Sequence, residues 1–137
     1  VPYVLDMDDI GALQRNDLRV LLKLQGIPAD ELLVTIISLE EQLRGRLNSV
    51  HNPKGAGGLI AAYSALAATF EFYRRSQVLP YDAAAELVDR HLQASVPRMG
   101  TMDRRIASIT ISRGGTLVTR NTVDYQRVRE LALENWL

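Results

Sequence analysis

Two hydrophobic periods share this chain, and their order predicts the architecture. Short apolar runs stand at Tyr3-Val4-Leu5, Leu32 to Ile37, Val78-Leu79, Thr116 to Thr119 and Leu131 to Trp136. Each is too short for a helix, and the second is β-branched and nearly all apolar, as befits a strand buried on both faces of a parallel sheet. Between them the period changes to that of a helix. Asn16 or Asp17 opens a short helix carrying Leu18, Leu21 and Leu22, closed by Gly26 and Pro28. Ser38 is placed to cap a helix with Leu39, Leu43, Leu47 and Val50 on one stripe. After the turn-rich stretch His51 to Gly58, a longer helix is written by Leu59, Tyr63, Leu66, Phe70 and Tyr73, the aromatic residues reading as core, and it ends at Arg74 and Arg75. Asp82 caps a helix with Leu87, Val88, His91 and Leu92 inward. Thr101 to Arg113 forms another, stopped by Gly114 and Gly115, and Asp124 to Arg129 a final helical turn. Strands alternating with helices imply an α/β fold with a parallel sheet.

At 137 residues the chain reads as one domain, 1–137, large enough to bury a core without disulfide or zinc staples. It has no cysteine, which removes zinc fingers, redox pairs and a thiol nucleophile from consideration and suits a reducing cytoplasm. The stretch Leu59 to Phe70 is too short and too interrupted to span a bilayer, and Asp6, Asp8 and Asp9 break any signal-peptide pattern at the start. Sixteen Lys plus Arg balance sixteen Asp plus Glu. The balance is uneven along the chain: from Arg98 onward seven arginines face only Asp103, Asp124, Glu130 and Glu134.

Four acids carry the chemistry. Asp6 follows the first strand directly, Asp124 lies five residues after the strand Thr116 to Thr119, and Asp103 opens a helix. In an open parallel sheet all three positions belong near the rim formed by the carboxyl ends of the strands, where ligands gather. Glu40 and Glu41 compete for the fourth role. Glu40 stands four residues before Arg44, in the order of a solvent-facing ion pair. Glu41 points away from the leucine stripe and shares a face with Gly45, whose lack of a side chain lets something approach, so Glu41 is the stronger candidate. Crowded carboxylates repel unless a cation neutralises them, and oxygen-only ligands favour Mg²⁺ or Mn²⁺. With those four neutralised, twelve acids face sixteen bases, a surface of net +4 suited to a polyanion. Arg104, Arg105 and Arg120, each within four residues of a candidate ligand, are the candidates to hold such a polyanion. Taken singly, an acid in a first turn is more often a helix-dipole partner than a metal ligand, and an arginine on a helix more often a solvated residue.

The blocks Gly100 to Ile109 (GTMDRRIASI) and Gly114 to Tyr125 (GGTLVTRNTVDY), with the ending Leu133-Glu134-Asn135-Trp136, resemble PIN-domain ribonucleases of the VapC toxin type. So do the opening Tyr3 to Asp8 and the segment Glu41 to Gly45 (EQLRG), and the resemblance covers essentially the whole chain. It implies a PIN-like three-layer fold with a central parallel sheet of about five short strands flanked by helices. It also implies a Mg²⁺- or Mn²⁺-dependent endoribonuclease, the toxin of a type II toxin–antitoxin pair, with a small antitoxin as partner and a homodimer as assembly. The metal-site and catalytic acids carried over are Asp6, Glu41, Asp103 and Asp124, with Asp8, Thr119 and Asn121 in support. One departure is visible: Met7 stands where the family usually has a small hydroxyl residue.

Other chemistries fit poorly. His51 and His91 have no acid or nucleophile at a recognisable spacing, and Gly55 to Gly58 lacks the ending of a phosphate loop. A receiver-type phosphorylation domain would need an Asp closing its third strand and a Lys after its last. Here Pro80 stops the third strand, and Lys23 and Lys54 are the only lysines. A PIN-like scaffold that binds a partner without catalysis is the remaining alternative.

Overall fold

The computed structural model describes residues 2–137. Five short strands, β1 (Tyr3–Leu5), β2 (Leu32–Thr35), β3 (Val78–Leu79), β4 (Thr116–Val118) and β5 (Ala132–Glu134), form one sheet in the order β3-β2-β1-β4-β5, every neighbouring pair parallel. The helices are α1 (Met7–Gln14), α2 (Leu18–Leu24), α3 (Ile36–His51), α4 (Gly58–Arg74), α5 (Ala83–Ser95), α6 (Thr101–Ser112) and α7 (Thr122–Tyr125), with a 3₁₀ turn at Ala29–Glu31. This is the α/β fold that the alternation of periods predicts.

The two faces of the sheet build two cores. Val4, Leu33 and Leu117 point to one side, where Ile37, Leu92, Ile106, Ile109 and Tyr125 pack on them. Leu5, Val34 and Val118 point to the other, against Ile10, Val20, Tyr73 and Trp136. The period-2 alternation of β1, β2 and β4 thus feeds both layers, which is why those strands read as nearly unbroken apolar runs. Gly114, at φ +64°, ends α6 in the left-handed conformation that glycine adopts without penalty.

Several expectations are corrected. The second strand stops at Thr35, and Thr35 rather than Ser38 caps α3: its Oγ1 accepts from the Ser38 amide at 3.1 Å. The strand-like Ile36 and Ile37 therefore enter the helix, Ile37 being buried in the first core. On α4 the inward face is Ala62, Thr69 and Tyr73, whereas Tyr63 and Phe70 are exposed. Small residues let α4 lie close along α3, so packing selects them over the bulkier stripe. Leu18 and Leu22 on α2 are likewise exposed, with Val20 the residue turned in. On α5, Leu87 and His91 face outward while Ala85, Asp89 and Leu92 are buried, because Arg104 draws Asp89 into the interior.

Candidate active site

Strand order reverses between β1 and β4: the chain builds β2 and β3 on one side of β1, then β4 and β5 on the other. A crevice must open at the carboxyl ends of those two strands, and Asp6 stands in it. The Asp6 amide donates to the Val118 carbonyl at 2.9 Å, continuing the β1–β4 ladder by one step. Its carboxylate then caps α1, Oδ1 accepting from the Met7 amide at 2.9 Å, while Oδ2 accepts from Thr119 Oγ1 at 2.8 Å. Thr119 in turn accepts from the Asn121 amide at 2.9 Å, so Asn121 acts here through its backbone. Met7 contributes its amide to Asp6, and its side chain packs with the second core.

Asp103, in the first turn of α6, is half-buried, and its Oδ1 accepts from the Tyr125 hydroxyl at 3.2 Å. Tyr125 is fully buried beneath the rim, so α7 supplies both a nearby acid, Asp124, and the hydroxyl that holds Asp103. Asp124 itself is half-exposed, with Arg127 at 3.9 Å. Glu41 stands on α3, two turns in from β2. Glu40 is exposed and paired with Arg44 at 3.0 Å, as its spacing predicts. A Cβ at Gly45 would meet nothing within 4 Å, so that position faces open space and no part of the chain approaches it.

Electrostatics shows which acids meet. Burial raises the Asp6 pKa, the Thr119 and Met7 bonds pull it back, and the charges of Asp103 and Asp8 raise it further. Glu41 is raised by burial, then by Asp6 and Asp103. Asp103 is raised by burial, lowered by Tyr125 and raised by Asp124. Asp6, Glu41 and Asp103 come from three separate elements and act on one another, while Asp124 acts on Asp103. As placed, no group of three or more His, Asp or Glu side chains among the described residues stands so that it could hold a metal ion.

Two residues near this rim escaped the sequence reading. Asp9, one turn from Asp6, is fully buried, and neither carboxylate oxygen finds a hydrogen-bond partner among the described residues. Burial, then Asp6 and Asp8, push its pKa up to about 7, against the opposing charge of Arg120. Its only sequence signal is a third acid in a first helical turn, which reads as a dipole partner. Tyr125 carries no signal beyond its place in the motif.

The arginines separate. Arg120 is exposed beyond β4 and Arg105 is half-buried on α6. Arg104 is 8 % exposed, and its Nε donates to Asp89 Oδ1 at 2.7 Å, so it is an interior ion-pair residue and not a surface for RNA. A cleft of about 910 Å³ lies off the acids between α1, α3 and α4, lined in part by Arg15, Gln42, Arg46, Thr69 and Phe72. No helix among the described residues is long and apolar enough to cross a membrane.

No family model matches the chain. It is similar to the tRNA(fMet)-specific endonuclease VapC of Shigella flexneri, 39 % identical over 69 residues, which is 47 % of this chain and 52 % of that protein. It also resembles the protein of the same name from Salmonella typhimurium, 33 % identical over 86 residues, 60 % of this chain and 65 % of the relative. The chain thus spans between about half and two thirds of the length of these curated relatives. Its fold matches a chain in the crystal structure of DNA-bound VapBC from Salmonella typhimurium, with a TM-score of 0.81 at 24 % identity, covering 100 % of this chain and 99 % of the other. It also matches one in VapBC-1 from nontypeable Haemophilus influenzae, with a TM-score of 0.79 at 21 % identity over 99 % and 98 % of the two chains.

Proposed function

We propose that this chain, an α/β protein with the PIN fold of VapC-type toxins, is a divalent-metal-dependent endoribonuclease and the toxin of a type II toxin–antitoxin pair. What supports the reading is that Asp6, Glu41 and Asp103, from three separate elements, feel one another's charge beside the crevice that the strand order opens, each with its proton affinity raised, and that Asp124 acts on Asp103. A soluble domain gains nothing structurally from gathering unneutralised carboxylates. The donor set fits a hard cation: all oxygen, all anionic, with Mg²⁺ or Mn²⁺ the matching ions. Asp6 and Asp103 would form the fixed part of the site, because hydroxyl groups already orient them. Glu41 and Asp124 would complete it by turning their side chains inward.

The bound ion would supply charge to polarise a phosphodiester and render a water molecule a stronger nucleophile. The protein's own share is placement. Thr119 and the Met7 amide fix both Asp6 oxygens, and Tyr125 fixes one of Asp103, so these two acids need little reorganisation when substrate arrives. Arg120 and Arg105 are the arginines left to hold RNA phosphates, Arg104 being committed to Asp89. An antitoxin is the proposed partner, in keeping with the VapBC complexes among the structural relatives, and a homodimer the proposed assembly.

The test is cleavage of RNA by protein stripped with EDTA, then resupplied with Mn²⁺ or Mg²⁺. Initiator tRNA, the substrate in the relatives' names, is the first RNA to assay. Cleavage should vanish with EDTA, return with either ion, and fall at least about a hundredfold in Asp6→Asn or Asp103→Asn. Cleavage indifferent to EDTA and to both substitutions would overturn the reading. The packing of Met7 into the second core favours a second reading, a scaffold that binds a partner without catalysis. Absence of Mn²⁺ binding at millimolar concentration would select it.

A further inference from the structure

Two of the inner acids lean on hydroxyl groups: Asp6 on Thr119 and Asp103 on Tyr125. Glu41 accepts no hydrogen bond among the described residues, and within reach of its charge lies a hydroxyl with the opposite deficit. Tyr73 is buried near the end of α4, and its phenolic oxygen is enclosed without a partner. A phenol buried with its O–H unused is a costly arrangement that tyrosines rarely keep.

The register of α3 against α4 brings the two together. Arg46 Nε on α3 donates to Thr69 Oγ1 on α4 at 2.9 Å. The two helices run antiparallel, so four residues back along α3 and four forward along α4 the same faces still meet, placing Tyr73 at the level of Gln42 and beside Glu41. The cleft along this seam follows the same register, with Gln42 and Arg46 opposite Thr69 and Phe72. Electrostatics agrees: after burial, the charge of Glu41 is what raises the Tyr73 hydroxyl, with Arg46 opposing. The ring is held independently of its hydroxyl, edge-on to Phe72 at 5.1 Å.

We propose that Tyr73 is a positioning residue for Glu41: its buried hydroxyl donates to the Glu41 carboxylate when that side chain turns in to bind the divalent cation. Each of the three inner acids then leans on one hydroxyl, and Glu41 is the one whose hydrogen bond forms only with the ion. The inference rests on the proposed metal site and goes beyond it in assigning a residue outside the acid set.

The experiment compares the parent, Tyr73→Phe, Glu41→Gln and the double variant, each titrated with Mn²⁺ by calorimetry and melted without metal. Tyr73→Phe keeps the ring and removes a hydroxyl that bonds nothing in the metal-free protein, so its metal-free melting temperature should equal or exceed the parent's. Its Mn²⁺ affinity should fall roughly tenfold. In the Glu41→Gln background the same change should alter affinity by less than about twofold, since the coupled partner is gone. Tyr73→Phe binding Mn²⁺ like the parent, or melting lower with unchanged affinity, overturns the inference. If Asp103→Asn weakens Mn²⁺ binding while Tyr73→Phe does not, only the assignment of Tyr73 fails. A parent that does not bind Mn²⁺ removes the metal site and this inference together.

Discussion

The Thr119 hydroxyl donates to Asp6 Oδ2 at 2.8 Å, joining the residue after β4 to the residue after β1 across 113 positions of sequence. The same oxygen accepts from the Asn121 amide, so one side chain fixes an acid and starts the turn into α7. Thr119→Val keeps the shape and removes both bonds. Metal affinity should fall roughly tenfold, by the usual cost of losing a carboxylate's outer partner. Stability should fall by about 1–3 kcal/mol, because Asp6 Oδ2 and the Asn121 amide both lose a partner. Thr119→Ser, which restores the hydroxyl, should recover most of the affinity. Mn²⁺ titration and chemical denaturation read the two effects separately.

Asp9 predicts a pH dependence. Its pKa rises from an ordinary 3.8 to about 7 on folding, so between those values the native state holds a proton that the unfolded chain releases. Stability from this group is therefore full below the ordinary carboxylate range and lost as pH climbs through about 7, at up to about 1.4 kcal/mol per pH unit. The facing charges are Asp6 and Asp8, which favour the proton, and Arg120, which opposes it. In chelator, the parent should melt lower at pH 8 than at pH 5.5, and Asp9→Asn should flatten that slope. Melting curves across the range check it.

The buried Arg104–Asp89 pair predicts which arginine substitutions unfold the protein. Arg104 Nε meets Asp89 Oδ1 at 2.7 Å, Tyr81 completes the group from 3.2 Å, and both charges are nearly enclosed. Arg104→Ala strands a buried carboxylate and should cost about 3–5 kcal/mol. Arg120→Ala, at an exposed position, should leave melting nearly unchanged. It should weaken RNA binding and lower the salt dependence of log K by about one unit. Denaturant titration and a salt series of RNA affinities distinguish the two residues.

Crowded acids predict stabilisation by cation. Asp6, Glu41 and Asp103 all hold protons more tightly than usual in the metal-free protein, so an ion that neutralises them should favour the folded state. At a hundred times its dissociation constant, Mg²⁺ should add about 2.7 kcal/mol. Asp103→Asn should lose most of the gain. Thermal melts with and without Mg²⁺ measure it.

The residues that positioned strands and helices were readable because each obeys a local rule. Asp82 caps α5 through the Ala85 amide at 3.0 Å, and Asp17 caps α2 through the Arg19 amide at 2.9 Å, both from a side chain's own reach. The leucine and aromatic stripes misled for the opposite reason. Leu47, Tyr63 and Phe70 have helical spacing, yet α3 and α4 bury Gln42, Ala62 and Thr69 between them. Periodicity says that a helix has two faces, and which one turns inward depends on the helix it meets.

The sequence by itself determined the α/β order of elements, the two-sided burial of β2, and the candidacy of Asp6, Glu41, Asp103 and Asp124 as metal ligands. Those follow from period, cap chemistry and motif, which act over a few residues. Tertiary structure alone decided that strand order reverses beside Asp6, that Thr119 and Tyr125 hold two of the acids, that Arg104 serves the interior, and that Asp9 and Tyr73 are buried with unused polar atoms. Each of these depends on a partner 15 or more residues away or on the solvent that folding removes, and neither is written in the spacing of neighbours along a chain.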